Sequence, residues 1–172
     1  PLDRSEYGTG AVDSVGYRVF WRIKDTNAIN GQWSERTVQG AGTNHISDFV
    51  GEDKYFLPYE TKVQAFNDKG FGPNSTVAEV YSAEALPVGV PQNVNTNTYN
   101  STAIEVFWDP VPQTREDAGG IILGYQINYW NQEDDPSTAS FIKYYGQVDY
   151  GLVIGLDVDV NMIIDVQVYN SA

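Results

Sequence analysis

Two places in this 172-residue chain carry residue types at a spacing that supports covalent modification. Asn74 and Asn100 each head an Asn-Ser-Thr triplet, the acceptor pattern for N-linked glycosylation. The first follows the turn "DKGFGP" and the second stands in the loop before the strand of Trp108, so both are expected at the surface. Other candidates for chemistry fall away on inspection. "DVDVN" (157–161) has the alternating aspartates that open a calcium loop. An EF-hand, however, needs Gly at its sixth position and Glu at its twelfth, where this chain has Met162 and Val168. His45 is the only histidine and there is no cysteine, so a nucleophile–histidine pair lacks a specific partner and His45 reads as a surface residue. The glycine triplets "GTG" (8–10), "GAG" (40–42) and "GFG" (70–72) are not followed by helical patterns and do not make phosphate cradles. Asp134 and Asp135 lie in "NQEDDPST", a turn in which charge keeps the loop solvated. No catalytic residue, cofactor site or metal site is predicted.

The totals narrow the field further. A net charge of −13 and a sequence pI near 4.2 repel phosphate backbones and anionic lipid, which excludes a basic nucleic-acid groove. Hydrophobic residues make up 41 % of the chain, enough for a packed core, but no run approaches the length of a membrane span. With no cysteine, such a core must hold without disulfides. Twelve Tyr, seven Phe and four Trp against a single Met favour strands over helices.

The elements that must position the sequons are strands. Period-2 alternation recurs, interrupted by Gly, Pro, Asn and Asp. Strands are expected at 17–22, 33–38, 46–50, 59–67 and 75–81. After "SAEALPVGVP" they are expected again at 92–96, 103–108, 122–130, 141–145, 152–156 and 163–169. "GYRVFW" (16–21) and "GYQINYW" (124–130) match, as do "VQAFN" (63–67) and "VQVYN" (166–170). The offsets, 108 and 103 residues in the same order, indicate duplication of a unit near 100 residues, which fits tandem β-sandwiches. The expected domains are 1–82 and 91–172, with 83–90 as a proline-stiffened linker. Both sandwiches are expected to be incomplete. "PLDRSEYG" matches the loop after "FWDP", so the first lacks its N-terminal strands, and the second stops before its last strand.

These residues resemble fibronectin type III domains: Trp108 on a second strand, the Gly-Tyr phrase on a third, and "PYETKVQAFNDKGFGP" across a sixth strand and its turn. The resemblance implies a tyrosine corner at Tyr59, whose counterpart in the second domain is Met162. "SAEALP" followed by "STAIEVFWDPVP" and "GYQINYW" is similar to consecutive domains of contactins, with related phrases in neuroglian-type adhesion molecules. That likeness covers essentially the whole chain. It implies an extracellular, non-enzymatic binding and spacer module of an immunoglobulin-superfamily adhesion protein. Its partners would be other cell-surface adhesion proteins, met homophilically or heterophilically. No cofactor is implied, and membrane association, through a GPI or other anchor, would come only from parts of the parent outside this segment. The rival is an ectodomain segment of a receptor tyrosine phosphatase or other signalling receptor. A linker from a secreted bacterial carbohydrate enzyme is weaker, and would be favoured if Asn74 and Asn100 were both unglycosylated.

Alternation assigns Tyr17, Trp21, Tyr59, Trp108, Tyr125 and Tyr129 to the core. It turns Phe20, Phe66 and Trp130 outward, as partner contacts or as rings covered by cations, with Arg18 and Arg22 the candidate cover for Phe20. The two Gly-Tyr strands are therefore equivalent while their tryptophans are not. Trp21 points inward and Trp130 outward, and equal burial of the two would signal a wrong register.

Overall fold

A computed structural model describes residues 15–24, 31–48 and 50–172, which form two units, Pro1–Ser82 and Ala83–Ala172. The opening stretch at 1–8 and the glycine triplet at 8–10 lie outside the described residues.

In the first unit, β1 (Gly16–Ile23), β2 (Ser34–Gln39), β3 (Pro58–Asn67), β4 (Gly70–Asn74) and β5 (Ala78–Tyr81) form one antiparallel sheet. Its order is β2-β1-β3-β4, with β5 continuing along the same side of β3 as β4. The β3–β4 turn closes because the Asn67 side chain accepts the Lys69 N–H at 2.9 Å, a local bond that competes with extension of the strand. Between β4 and β5 a serine substitutes for the ladder. Ser75 donates its N–H to the Val63 carbonyl at 2.7 Å, and its hydroxyl accepts the Val63 N–H at 2.9 Å. The stretch 46–50, expected as a strand, has none at its described residues 46–48 and 50. Among the described residues no second sheet offers it a partner, and without a ladder its backbone takes isolated bonds instead, such as the Ser47 carbonyl accepting from the Arg36 guanidinium at 2.9 Å.

In the second unit, β6 (Gln92–Asn100), β7 (Ala103–Asp109) and β10 (Tyr150–Ile154) form one sheet in the order β10-β7-β6. The other, in the order β11-β8-β9, contains β8 (Gly124–Asn131), β9 (Ser140–Tyr145) and β11 (Met162–Tyr169). Val106, Trp108, Val111, Tyr125, Ile127, Val153 and Val166 fill the space between the sheets. The Trp108 and Tyr125 rings meet at 5.5 Å, and the Trp108 Nε1 is buried without a hydrogen-bond partner. A single helical turn, α1 (Arg115–Ala118), is capped by the Thr114 hydroxyl and ends at Gly119, whose φ of 67° suits glycine.

Residues 83–90, expected as a linker, are bonded into the second unit. Ala85 donates its N–H to the Gly119 carbonyl, and Val88 and Gly89 donate theirs to the Asp117 carbonyl, all at 2.9–3.0 Å. The Glu84 carboxylate accepts from the Ile121 amide at 2.9 Å and from the Ser171 hydroxyl at 2.6 Å. Asn170 donates its side-chain amide to the Ala85 carbonyl at 2.6 Å. These bonds tie the strap before β6 to the loop after α1 and to the residues after β11.

Two residues assigned to the core sit elsewhere. Tyr129 is half-buried at the margin of the core, packed against it rather than inside it. Trp21 is also half-buried, and so is Trp130. The register is nonetheless the expected one. Trp21 pairs with Thr61 on the face of Tyr17 and Tyr59, whereas Trp130 pairs with Ile163 on the face away from Tyr125 and Ile127. Equal burial arises because, among the described residues, Trp21 faces inward from a sheet with no second sheet opposite it.

Candidate glycosylation sites and sheet faces

The Gly-Tyr repeat has a structural cause. Gly16 pairs with Phe66 and Gly124 with Tyr169, so each glycine lies across from the aromatic of the repeated "VQxxN" phrase. A Cβ on Gly16 would stand 2.5 Å from the Phe66 ring and 2.6 Å from the Val38 carbonyl oxygen. On Gly124 it would collide with the Tyr144 carbonyl and approach the Tyr169 hydroxyl to 2.9 Å. Glycine and aromatic thus form one cross-strand unit in both domains. The tyrosines beside them are buried and hydrogen-bonded. Tyr17 donates to the Ala41 carbonyl at 3.0 Å, while Tyr125 accepts the Val111 N–H at 2.9 Å and donates to the Gln147 side chain at 3.1 Å. Burial raises the Tyr125 phenol above its ordinary value, partly offset by the Val111 bond.

Tyr59 is buried on β3, and the described residues do not supply its hydroxyl with the backbone bond expected of a tyrosine corner. Met162, at the corresponding place, packs against the core of the second unit. Trp108 and Tyr125 lie inside that core.

The outward face of the first sheet is a series of cations and rings. The Arg18 guanidinium lies 5.0 Å from the Phe20 centroid and 4.7 Å from that of Phe71, and it pairs with Glu35. Lys62 stands 5.3 Å from Phe20 and 4.4 Å from Trp33. Arg22 lies over Trp33 at 4.5 Å, not over Phe20, and is held by Glu60 at 2.7 Å. Phe66 folds over Gly16 and meets Phe71 at 5.8 Å. Phe20 and Phe66 are half-buried as a result. Trp33 is a ring that strand alternation did not single out; a tryptophan directly before a strand carrying Glu35, facing Arg22, was the available signal. On the opposite face, Tyr17, Val19, Val38 and Val63 line a largely apolar hollow of about 300 Å³, with exposed His45 at its rim.

Both sequons are exposed and end a strand, yet they are held differently. Asn74 closes β4, and Ser75 of its triplet is locked to Val63 of β3. Asn100 closes β6 at the tip of the β6–β7 hairpin, where its side-chain oxygen accepts the Thr102 N–H at 2.9 Å. Of the carboxylates, Asp135 caps a turn by accepting the Ser137 N–H at 2.8 Å, which holds its carboxyl below the usual range. Asp157 and Asp159 are exposed, and among the described residues no three His, Cys, Asp or Glu side chains are grouped to hold a metal ion.

Two antiparallel sheets packed around a tryptophan in the second unit, and a Gly-Tyr strand with its tyrosine buried in both units, mark the fibronectin type III class. Comparison with known proteins narrows this. No family model matches the chain. The crystal structure of the first to third fibronectin domains of chicken contactin 1 superposes with a TM-score of 0.66 and 28 % identity, covering 100 % of this chain and 53 % of that one. Mouse contactin-2 is 33 % identical over 172 residues, covering 100 % of this chain and 16 % of the relative. The rat neuronal cell adhesion molecule is 32 % identical over 161 residues, covering 90 % and 12 %. The chain is a tandem of fibronectin type III domains of a contactin-like protein, and it spans between 12 % and 16 % of the length of these curated relatives.

Proposed function

We propose that the chain is a non-catalytic, extracellular segment of a cell-adhesion protein. It either contributes to contacts with other cell-surface proteins or sets the spacing of the parts that do. The observation that carries this reading is the likeness of the whole chain to the contactin 1 fibronectin segment, shared in sequence by a neuronal adhesion molecule. The exposed triplets at Asn74 and Asn100 agree with passage through the secretory pathway, and both are assigned as glycosylated. A chain of net charge −13 keeps anionic membrane at a distance, so attachment to the cell surface falls to an anchor elsewhere in the parent protein.

Bead aggregation with the parent ectodomain tests the proposal. Deleting these two domains is expected to reduce aggregation. Replacing them with an unrelated pair of similar length then separates the roles, since recovery assigns spacing and continued loss assigns contact. Aggregation untouched by deletion would overturn both.

A further inference from the structure

The outer face of the sheet β10-β7-β6, turned away from the core, begins at a glycosylation triplet. Strand register sets the geometry. Asn100 pairs with Ala103, which pairs on its other side with Ile154, so these three share one rung and one face. Two residues further along β7, Glu105 stands between Asn97 and Leu152, and two further again Phe107 stands between Asn95 and Tyr150. The core residues Val106 and Trp108 alternate with them and point the other way. Tyr99 is the extra residue of a bulge, since β6 advances two residues between Thr98 and Asn100 while β7 advances one.

This face is divided along its length. On the β10 and β7 side it is apolar, with Ile154 62 % exposed and the Tyr150 and Phe107 rings in contact at 5.2 Å. Along β6 it is polar, with the exposed amides of Asn97 and Asn95. No lysine or arginine occupies any of these rungs, and the one charge is the Glu105 carboxylate. An apolar strip beside hydrogen-bonding amides matches a neutral sugar chain, whose C–H faces pack on rings and aliphatic groups while its hydroxyls and acetamides reach the amides. The carboxylate works against an acidic occupant. From the Asn100 rung to the Tyr150 rung is four residues, about 14 Å along the strand, within reach of a few linked sugars.

We propose that the glycan carried by Asn100 folds back and docks on the outer face of its own sheet, along Ile154, Leu152, Phe107 and Tyr150. This rests on the reading that Asn100 is glycosylated. The docked glycan covers an apolar strip that would otherwise meet water, and it shields β10, one of the two edge strands of that sheet.

The test uses the full chain secreted from eukaryotic cells. Glycopeptide mass first reports occupancy at Asn100. Hydrogen exchange of residues 150–156 is then compared before and after enzymatic removal of the glycan from the folded protein. Removal is expected to speed exchange there by at least about threefold, and the same treatment of I154S or Y150S is expected to produce no such change. An unoccupied Asn100 would overturn both the glycosylation reading and the docking. An occupied Asn100 whose removal leaves exchange unchanged would overturn docking alone. Acceleration that persists in both variants, or a strip equally protected without the glycan by a second copy or another protein, would likewise assign the protection elsewhere.

Discussion

Tyr17 and Tyr125 head equivalent strands of a duplicated unit, each beside a glycine crossed by an aromatic ring, but they look onto different surroundings. Tyr125 faces a second sheet and closes a core with Trp108, Val153 and Val166. Tyr17 faces a hollow that, among the described residues, no sheet covers, while cations and rings stack along the outer face of its sheet. One strand pattern therefore supports two kinds of cohesion, interior packing in the second unit and surface stacking in the first. Alternation sets which way a residue points, and the presence of an opposing layer sets how deeply it is buried.

The contrast can be broken at four places. The largest effect is expected from the tryptophans. W108A should cost about 3–5 kcal/mol, as for a large aromatic removed from a closed core. W21A should cost under about 2 kcal/mol, because only part of its surface leaves water. Chemical denaturation followed by circular dichroism measures both, and equal losses would place Trp21 in a core as closed as that of Trp108. Next, G124A is expected to cost about 1–3 kcal/mol by forcing a methyl into the Tyr144 carbonyl. G16A should cost less, since its nearest obstacle is a ring edge, although the Val38 carbonyl still limits relief. Reversal of that order would mean the first sheet is the more rigid. Third, Y125F leaves the buried Val111 N–H without an acceptor, a loss of about 1–3 kcal/mol, whereas Y59F should be close to neutral. A clear loss for Y59F would restore the corner bond at Tyr59.

The smallest effect concerns acid. The Ser171 hydroxyl first, and the Ile121 amide next, hold the Glu84 carboxyl below its usual range, against the opposing effect of burial. A folded value below the unfolded one means that the strap's contribution is complete above the ordinary carboxylate range and is lost as pH falls through the depressed value. An acid titration following the Ile121 amide resonance should show its midpoint shifted downward, and an unshifted midpoint would remove Glu84 from the strap.

Pattern carried much of this architecture. The duplicated unit, the alternating faces of Tyr17, Phe20, Trp21, Tyr125 and Trp130 on their strands, and the surface position of Asn74 and Asn100 could be read from period-2 alternation and turn residues. Four things could not. The strand at Gly70–Asn74 was hidden because "GFGPN" has the composition of a turn, and only its pairing with Gln64 and Phe66 extends it. The stretch around Ile46 has strand residues but no partner, and pairing is a property of the fold. The strap at 84–89 reads as a linker because its hold comes from groups far along the chain: the Asp117 and Gly119 carbonyls that accept its amides, and the Ile121 amide and Ser171 hydroxyl that donate to its own Glu84 carboxylate. Arg22 was matched to Phe20, two residues off on its own strand, while the ring it covers, Trp33, comes from outside that strand.

The Trp108 indole, buried against Tyr125 with no acceptor for its N–H, also makes the second unit optically distinct. An indole in a dry, apolar site emits toward the blue, and a tyrosine in ring contact passes excitation to it. Trp21, Trp33 and Trp130 are all half-buried, and Trp33 has two cations against its ring, so their emission belongs to a redder and more quenchable population. The blue component of this chain's fluorescence therefore reports on one domain, and its loss would mark the moment at which that sandwich opens.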